Sequence, residues 1–327
     1  MNQTRTIGDA IALATQWVAT SNLPFHAAFV GGSLAHADPR LPYDPASDID
    51  CYLIVTGDPP ATKIGKIIEN GVLLDVSWLP WNQLEHASSH AVLASLLRFG
   101  KIVHDPHGEL SRLQQDLIAH FADPATIASR INDMRTRIHN GLGVDSSHLA
   151  EPEQVMNWLF PATLATHIPL VAACAPLTVR KRFLAARNVM APAEYESLLA
   201  LYGFDDISPS QAQEWLDDTT TLFDATAAIA VRSPRFWASD IQAGARPIAI
   251  DGSQKLIDAG DHREALYWII ATRTRCLTVL HDAGIQTSPY LGAFRDMTGT
   301  LSIATAAQRS RRSAGILAWI DGYINSN

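Results

Sequence analysis

The chain has 327 residues, of which 47% are hydrophobic and 18% charged, a composition typical of a globular protein with room for two domains. Its formal net charge of −8 argues against a primary role on DNA or RNA, because nucleic-acid-binding proteins usually present a basic surface. No uninterrupted apolar run is long enough to cross a membrane, the first 20 residues lack a secretory pattern, and the three cysteines are far apart. We therefore expect a cytoplasmic protein without a membrane partner, whose acidic surface would favour a cationic small substrate.

The first third of the chain is predicted to alternate strands and helices, which indicates a sheet packed by helices. A small-residue turn and a loop with three prolines separate the first two strands. The dipeptide Asn70-Gly71 is expected to close a helix that begins near residue 62. In chain order, we predict a helix over residues 7–19, strands over 27–30 and 48–55, a helix over 62–69, a strand over 72–78, a short strand and turn over 100–106, and a helix over 110–121.

The character of the sequence changes after Asp123-Pro124, a pair suited to cap and begin a helix. No later segment has the alternating pattern of a strand. Helices are predicted near residues 124–141, 153–174, 178–189, 193–202, 210–231, 263–283 and 303–324. We therefore expect an α+β fold in two domains, residues 1–122 with the sheet and residues 123–327 entirely helical.

Three aspartates lie in or beside the predicted strands. Asp48 and Asp50 are two residues apart, so they should share one face of a strand about 6.6 Å apart, and Asp75 can join them if its strand pairs alongside. Two carboxylates about 4 Å apart repel by about 4 kcal/mol at an effective dielectric near 20, so such a trio needs a cation. Oxygen ligands without cysteine or histidine favour Mg²⁺ or Mn²⁺, and paired ions about 3.5–4 Å apart can clamp a phosphoryl group.

A turn of small residues, Gly31-Gly32-Ser33, follows the first predicted strand and leads into a helix near Leu34. Glycine lets the backbone approach a phosphate closely, N–H groups at a helix start attract anions, and the Ser33 hydroxyl can donate to a triphosphate oxygen. We predict that these three residues bind the phosphates of a nucleotide. His36 can touch a phosphate as well, or hold the turn by a structural hydrogen bond.

The ordered set of strand, Gly-Gly-Ser, loop, Asp-apolar-Asp and a later strand aspartate resembles the nucleotidyltransferase superfamily related to DNA polymerase β. The matching residues are Gly32, Ser33, Asp48, Asp50 and Asp75, and the match covers about the first third of the chain. The resemblance implies a minimal mixed sheet with flanking helices. It also implies that Asp48 and Asp50 bind both metals, while Asp75 binds the catalytic metal and helps to deprotonate the acceptor. The gap between Ser33 and Asp48 is longer than usual for the family.

The predicted helical second domain resembles that of nucleotidyltransferases that modify small molecules, including aminoglycoside-modifying enzymes. The resemblance implies Mg²⁺-dependent transfer of a nucleoside monophosphate from an NTP, ATP by default, to a hydroxyl of a small acceptor such as an aminoglycoside-like antibiotic. A carboxylate from elsewhere acts as general base in some of those enzymes, and Glu151 or Glu153 could do so here. Acids at a helix start are also commonly present for the helix dipole.

Two other functions are open at this point. The acceptor could be a protein side chain, which would make the chain an AMPylating enzyme or a toxin–antitoxin component. The chain could instead be a catalytically inactive nucleotide-binding module that keeps the fold. The acceptor, the preferred base and the oligomeric state do not follow from the sequence.

Overall fold

The computed structural model describes residues 5–60 and 64–326. Its contacts divide the chain into two compact units, one formed by Met1–Asp133 with Val171–Thr178 and the other by Met134–Leu170 with Val179–Asn327. The fold is α+β, as predicted. Of the described residues, none after His104 belongs to a strand, so the second unit is helical. The contact boundary lies within a helix that begins at Pro124, and the domain limit after residue 122 stays a prediction.

The first unit contains a five-stranded mixed sheet in the order β3-β4-β2-β1-β5. The central pair, β2 and β4, is parallel, and the other neighbouring strands are antiparallel. This parallel pair matters for function because it places residues of two distant sequence segments side by side. The strands are β1 (Ala27–Gly31), β2 (Ile49–Val55), β3 (Gly65–Glu69), β4 (Val72–Pro80) and β5 (Lys101–His104).

The helix predicted over residues 62–69 is wrong. Residues 62 and 63 lie outside the described part of the chain, and Gly65–Glu69 forms the edge strand β3, antiparallel to β4. Asn70 and Gly71 both have positive φ, 47° and 79°, and Glu69 pairs with Val72. Two left-handed residues between paired strands make a tight hairpin whose twist matches the strands, so the Asn-Gly dipeptide joins two strands and does not end a helix.

Two hydrophobic layers enclose the sheet. The helix α1 (Ile7–Thr20) covers one face with its apolar stripe, and its first turn is held by a capping box between Thr6 and Asp9. The helices α4 (Ala91–Phe99) and α5 (Glu109–Ala119) cover the other face. Single turns of helix, α2 (Gly32–Ala35) and α3 (Trp81–Leu84), follow β1 and β4.

The second unit is built around α13 (His262–Asp282), in which every residue from Glu264 to Leu280 is buried. A helix enclosed on all sides loses its amphipathic pattern, because each face meets another helix. Among the described residues, the other α-helices are α6 (Pro124–Leu142), α7 (Glu151–Thr163), α8 (His167–Ala172), α9 (Arg182–Arg187), α10 (Pro192–Ala200), α11 (Pro209–Ala230), α12 (Gly252–Asp258), α14 (Ser288–Thr300) and α15 (Ala306–Ser326).

The helical predictions differ from the structure in four places. The helix predicted over residues 178–189 is shorter, since α9 covers only Arg182–Arg187. The helix predicted over residues 153–174 is divided, with a 3₁₀ turn, Leu164–Thr166, between α7 and α8. The helices α12 and α14 were not predicted.

Within the described part of the chain, one helical stretch, Glu151–Ala172, is long and apolar enough to cross a membrane, and 72% of its most apolar window is buried within the fold. Such burial is usual for an interior helix of a globular domain.

Candidate metal and phosphate site

A buried tyrosine positions the first aspartate, Asp48. The loop with three prolines that precedes Asp48 contains no helix or strand, as the prolines predict. The Tyr43 hydroxyl donates to the carbonyl oxygen of Ser47 at 2.8 Å and accepts from the backbone N–H of Leu73 at 3.3 Å. Because Leu73 belongs to β4 and Ser47 adjoins Asp48, these bonds fix the start of β2 against the strand that carries the third aspartate.

The other two aspartates, Asp50 and Asp75, are direct neighbours across the parallel pair of β2 and β4. Their sequence neighbours Cys51 and Val76 lie in the core beneath α1. Side chains alternate along a strand, so both aspartates point to the opposite face of the sheet. Since Asp48 immediately precedes β2, all three carboxylates collect at one end of this strand pair.

The three carboxylates form a compact cluster. One oxygen from each of Asp48, Asp50 and Asp75 lies within 4.8 Å of the others, and all three residues are partly buried. The side chains of Asp48 and Asp75 are 23% and 15% exposed, so solvent screens their repulsion only in part. Oxygen donors at this spacing fit a hard divalent cation such as Mg²⁺ or Mn²⁺. The cluster predicted from the sequence is therefore assembled by the fold.

A lysine that the sequence analysis did not identify lies in this cluster. Lys66 of β3 pairs in register with Asp75 of β4, so both side chains project on the same face. The Lys66 ammonium donates to Oδ2 of Asp48 at 2.6 Å and to Oδ2 of Asp75 at 2.8 Å, and the side chain is 8% exposed. A fixed positive charge thus bridges two of the three carboxylates.

The glycine turn and the carboxylate cluster are in direct contact. Gly32 has a φ of +70°, and a Cβ at this position would overlap Oδ2 of Asp50. Only glycine tolerates both the left-handed backbone and the close approach of the carboxylate. Gly31 pairs in register with Asp50, and a Cβ there would come within 2.8 Å of the Tyr52 ring. Each glycine is therefore required by a specific neighbour.

Two polar residues at and after the turn, Ser33 and His36, are exposed. Ser33 is exposed, so its hydroxyl is open to a ligand. His36 forms a hydrogen bond with the backbone of Gly32, and its ring centroid is 5.6 Å from that of Phe99. Burial lowers the pKa of His36, although the bond to Gly32 acts in the opposite direction. The structural role considered for His36 is thus present in the fold, and contact with a phosphate stays a prediction.

Tyr52 is a second residue that the sequence analysis did not single out. It lies two positions after Asp50 on the same strand face, and its ring stacks on Phe29 with centroids 5.0 Å apart. Burial raises the pKa of the Tyr52 hydroxyl, and the negative charges of Asp50 and Asp75 raise it further. The hydroxyl therefore keeps its proton at neutral pH and stays a hydrogen-bond donor.

The two candidate general bases lie in the second unit, at the first turn of α7. Glu151 accepts a hydrogen bond from Arg295 at 2.9 Å, and Glu153 accepts one from Arg235 at 2.6 Å. Arg235 also pairs with Asp282 at 2.7 Å. Both glutamates thus have cationic partners and sit where acids favour the helix dipole. Their use as a base stays a prediction.

Comparisons with known protein families and curated sequences identify no family for this chain. No protein-family model matches the chain, and no curated protein sequence matches it with significance. The functional argument therefore depends on the residues of the site itself.

Proposed function

We propose that this protein is an Mg²⁺-dependent nucleotidyltransferase, which transfers a nucleoside monophosphate from an NTP to a hydroxyl of a small acceptor. ATP is the expected donor. The observation that carries the proposal is the contact between Gly32 and Asp50, because it joins the glycine turn to a cluster of three carboxylates. A turn of this kind alone, or an acidic cluster alone, would support it much less.

In this proposal, Asp48, Asp50 and Asp75 would hold the divalent cation. The bound cation would act as a Lewis acid on the α-phosphoryl group and would neutralise the charge that develops on pyrophosphate. Ser33 is exposed and would donate its hydroxyl to a phosphate oxygen, and the backbone of the glycine turn would lie beside the triphosphate. The main contributions of the protein are thus positioning and charge stabilisation.

The proposed reaction is an in-line displacement at the α-phosphorus of the NTP. The acceptor hydroxyl oxygen forms a bond to the α-phosphorus, and the bond from that phosphorus to the bridging oxygen of pyrophosphate breaks. The electron pair of the broken bond leaves with pyrophosphate, and the acceptor proton passes to a carboxylate. Asp75 is our first candidate to accept that proton, as the resemblance to the nucleotidyltransferase superfamily implies. The ion-paired Glu151 and Glu153 are secondary candidates.

One observation favours a second candidate function. Lys66 bridges Asp48 and Asp75, and an internal ammonium group reduces the need for a metal at the cluster. An inactive nucleotide-binding module would gain stability from this arrangement without any catalysis. Activity measurements with metal and nucleotide distinguish the two functions.

The test is release of pyrophosphate from each of the four NTPs with Mg²⁺, against a panel of hydroxylated antibiotics and metabolites. Wild-type protein should release pyrophosphate with at least one acceptor, and Asp50→Asn should lower the rate by about 10²–10³-fold or more. Asp58→Asn is a matched control, since Asp58 is an exposed aspartate of the same unit. No release above background with any pair of donor and acceptor, together with no labelled protein in the extract experiment below, would support the inactive module.

A parallel incubation with α-labelled ATP and cell extract tests the nature of the acceptor. Label recovered in a small hydroxylated molecule supports the function proposed here. Label that becomes covalently attached to a protein supports the AMPylating alternative. The same Asp50→Asn protein serves as the background in both cases.

A further inference from the structure

Lys66 is held at the carboxylate cluster by the sheet itself. Its backbone belongs to β3, which pairs with β4 over five residue pairs, and Asp75 lies directly opposite. The side chain is 8% exposed, whereas a lysine on an edge strand ordinarily extends into solvent. The register of the β3–β4 hairpin therefore places the buried Lys66 ammonium at the cluster.

We propose that the ammonium group of Lys66 takes one of the two cation positions of this cluster, so that the site binds a single divalent cation. The inference rests on the proposed function and departs from the two-metal arrangement that the family resemblance implies. Lys66 is a positioning residue in this scheme, because it fixes Asp48 and Asp75 and acts on the substrate through them.

Charge and space both support one cation. Before nucleotide binds, three carboxylates and one ammonium group carry a net charge of −2, which one divalent ion balances. The same Lys66 nitrogen lies 2.6 Å from Oδ2 of Asp48 and 2.8 Å from Oδ2 of Asp75. A metal ion that joined those two oxygens would meet the ammonium group at close range, and like charges repel strongly where solvent is largely excluded.

Asp50 lies where the carboxylate cluster meets the glycine turn. Its carboxylate lies against Gly32, on the side of the cluster that faces the predicted phosphate turn. A cation held there could contact both the carboxylates and a triphosphate. Lys66 would meanwhile keep Asp48 and Asp75 in place before any metal arrives, which reduces the reorganisation on binding.

The experiment counts bound Mn²⁺ by electron paramagnetic resonance, using the full chain saturated with a non-hydrolysable α,β-methylene analogue of ATP. Wild-type protein should bind one Mn²⁺ per chain with an uncoupled spectrum. Lys66→Met removes the charge but keeps an unbranched stem, and it should bind two ions with the spin coupling of a pair about 3.5–4 Å apart. Lys66→Arg keeps the charge and should bind one.

Two coupled ions in the wild-type protein would overturn the inference and leave the proposed function intact. One ion in Lys66→Met would also overturn it, because the vacated position would then not be a cation site. Absence of Mn²⁺ from all three proteins would contradict the proposed function as well. If Lys66→Met fails to fold by circular dichroism, the counts for wild type and Lys66→Arg decide the matter.

Discussion

The carboxylate of Asp50 lies directly against the α-carbon of Gly32, so the turn after β1 and the aspartate of β2 form one structural unit. The contact follows from the sheet, since Gly31 at the end of β1 pairs with Asp50 in the antiparallel ladder. A ligand bound at the turn would therefore also contact the carboxylate cluster. The first prediction tests this relationship.

Replacing Gly32 by alanine should damage both stability and ligand binding. Alanine at a φ of +70° is strained, and its Cβ would push the Asp50 carboxylate aside, so we expect a loss of about 1–3 kcal/mol in the free energy of unfolding. Urea denaturation measures this loss, and binding of Mg²⁺ with an ATP analogue should weaken in parallel. Gly57→Ala is the control, because a Cβ there meets no atom within 4 Å. Equal behaviour of the two variants would contradict the role given to Gly32.

Removing the charge of Lys66 should make stability depend on metal. Without divalent ions, Lys66→Met leaves three neighbouring carboxylates uncompensated, and we expect the free energy of unfolding to fall by up to about 3 kcal/mol. Added Mg²⁺ should restore much of that loss. Chemical denaturation with EDTA and with Mg²⁺ measures both values. A variant that is as stable as wild type in EDTA would show that the ammonium is not needed at the cluster.

Asp105 should contribute to stability against acid. Burial alone would raise its pKa, but hydrogen bonds from the Ser111 hydroxyl and from the backbone N–H groups of Ser111 and Leu110 together lower the pKa below its usual value. A lowered folded-state pKa gives stability that is present above the unfolded-state pKa and is lost as pH falls through the folded-state pKa.

Asp105→Asn should therefore lose less stability than wild type between about pH 5 and pH 2. Urea denaturation at a series of pH values measures the slope. Ser111→Ala, which removes one donor to Asp105, should lie between the two proteins. Identical slopes for wild type and Asp105→Asn would contradict this account.

Glutamine at Glu151 and at Glu153 separates a structural role from a catalytic one. Glu153 is 12% exposed and binds Arg235, so Glu153→Gln should lower the free energy of unfolding by about 1–2 kcal/mol without changing nucleotidyl transfer. Glu151 is 31% exposed beside Arg295, and Glu151→Gln should cost less than about 1 kcal/mol. Pyrophosphate release and thermal unfolding of each variant are the measurements. Loss of transfer in a variant with wild-type stability would identify that glutamate as the base.

Much of the candidate site is predictable from local pattern. The two-residue spacing of Asp48 and Asp50 predicts a shared direction, and the apolar run around Asp75 predicts a strand. The parallel pairing of β2 with β4, which brings Asp75 beside Asp50, is a tertiary fact that the sequence leaves open. From the sequence, the proximity of Asp75 and Asp50 follows only on the condition that their two strands pair.

Lys66 was missed for a specific reason. The segment before Asn70-Gly71 was assigned to a helix, and a helix gives Lys66 no relation to Asp75. The Asn-Gly dipeptide between two apolar runs is a strong signal for a two-residue hairpin. Counting outward from that turn pairs Glu69 with Val72 and Lys66 with Asp75, as the structure has them. The signal for this hairpin is thus present in the sequence.

Tyr52 and the helices α12 and α14 were missed because of packing. Tyr52 matters through its contacts with Gly31 and Phe29, which no local pattern indicates. The helix α12 continues from a π-helical turn, Pro247–Asp251, and α14 begins at Ser288 with a proline in its first turn. Tertiary contacts decide whether a short segment such as α12 becomes helical.

A crystal structure with Mn²⁺ and the α,β-methylene analogue of ATP tests the central claim most directly. The account predicts anomalous density for manganese among the oxygens of Asp48, Asp50 and Asp75, with the triphosphate against Gly32 and Ser33. Nucleotide bound at a different place, or no manganese beside these carboxylates, would contradict it.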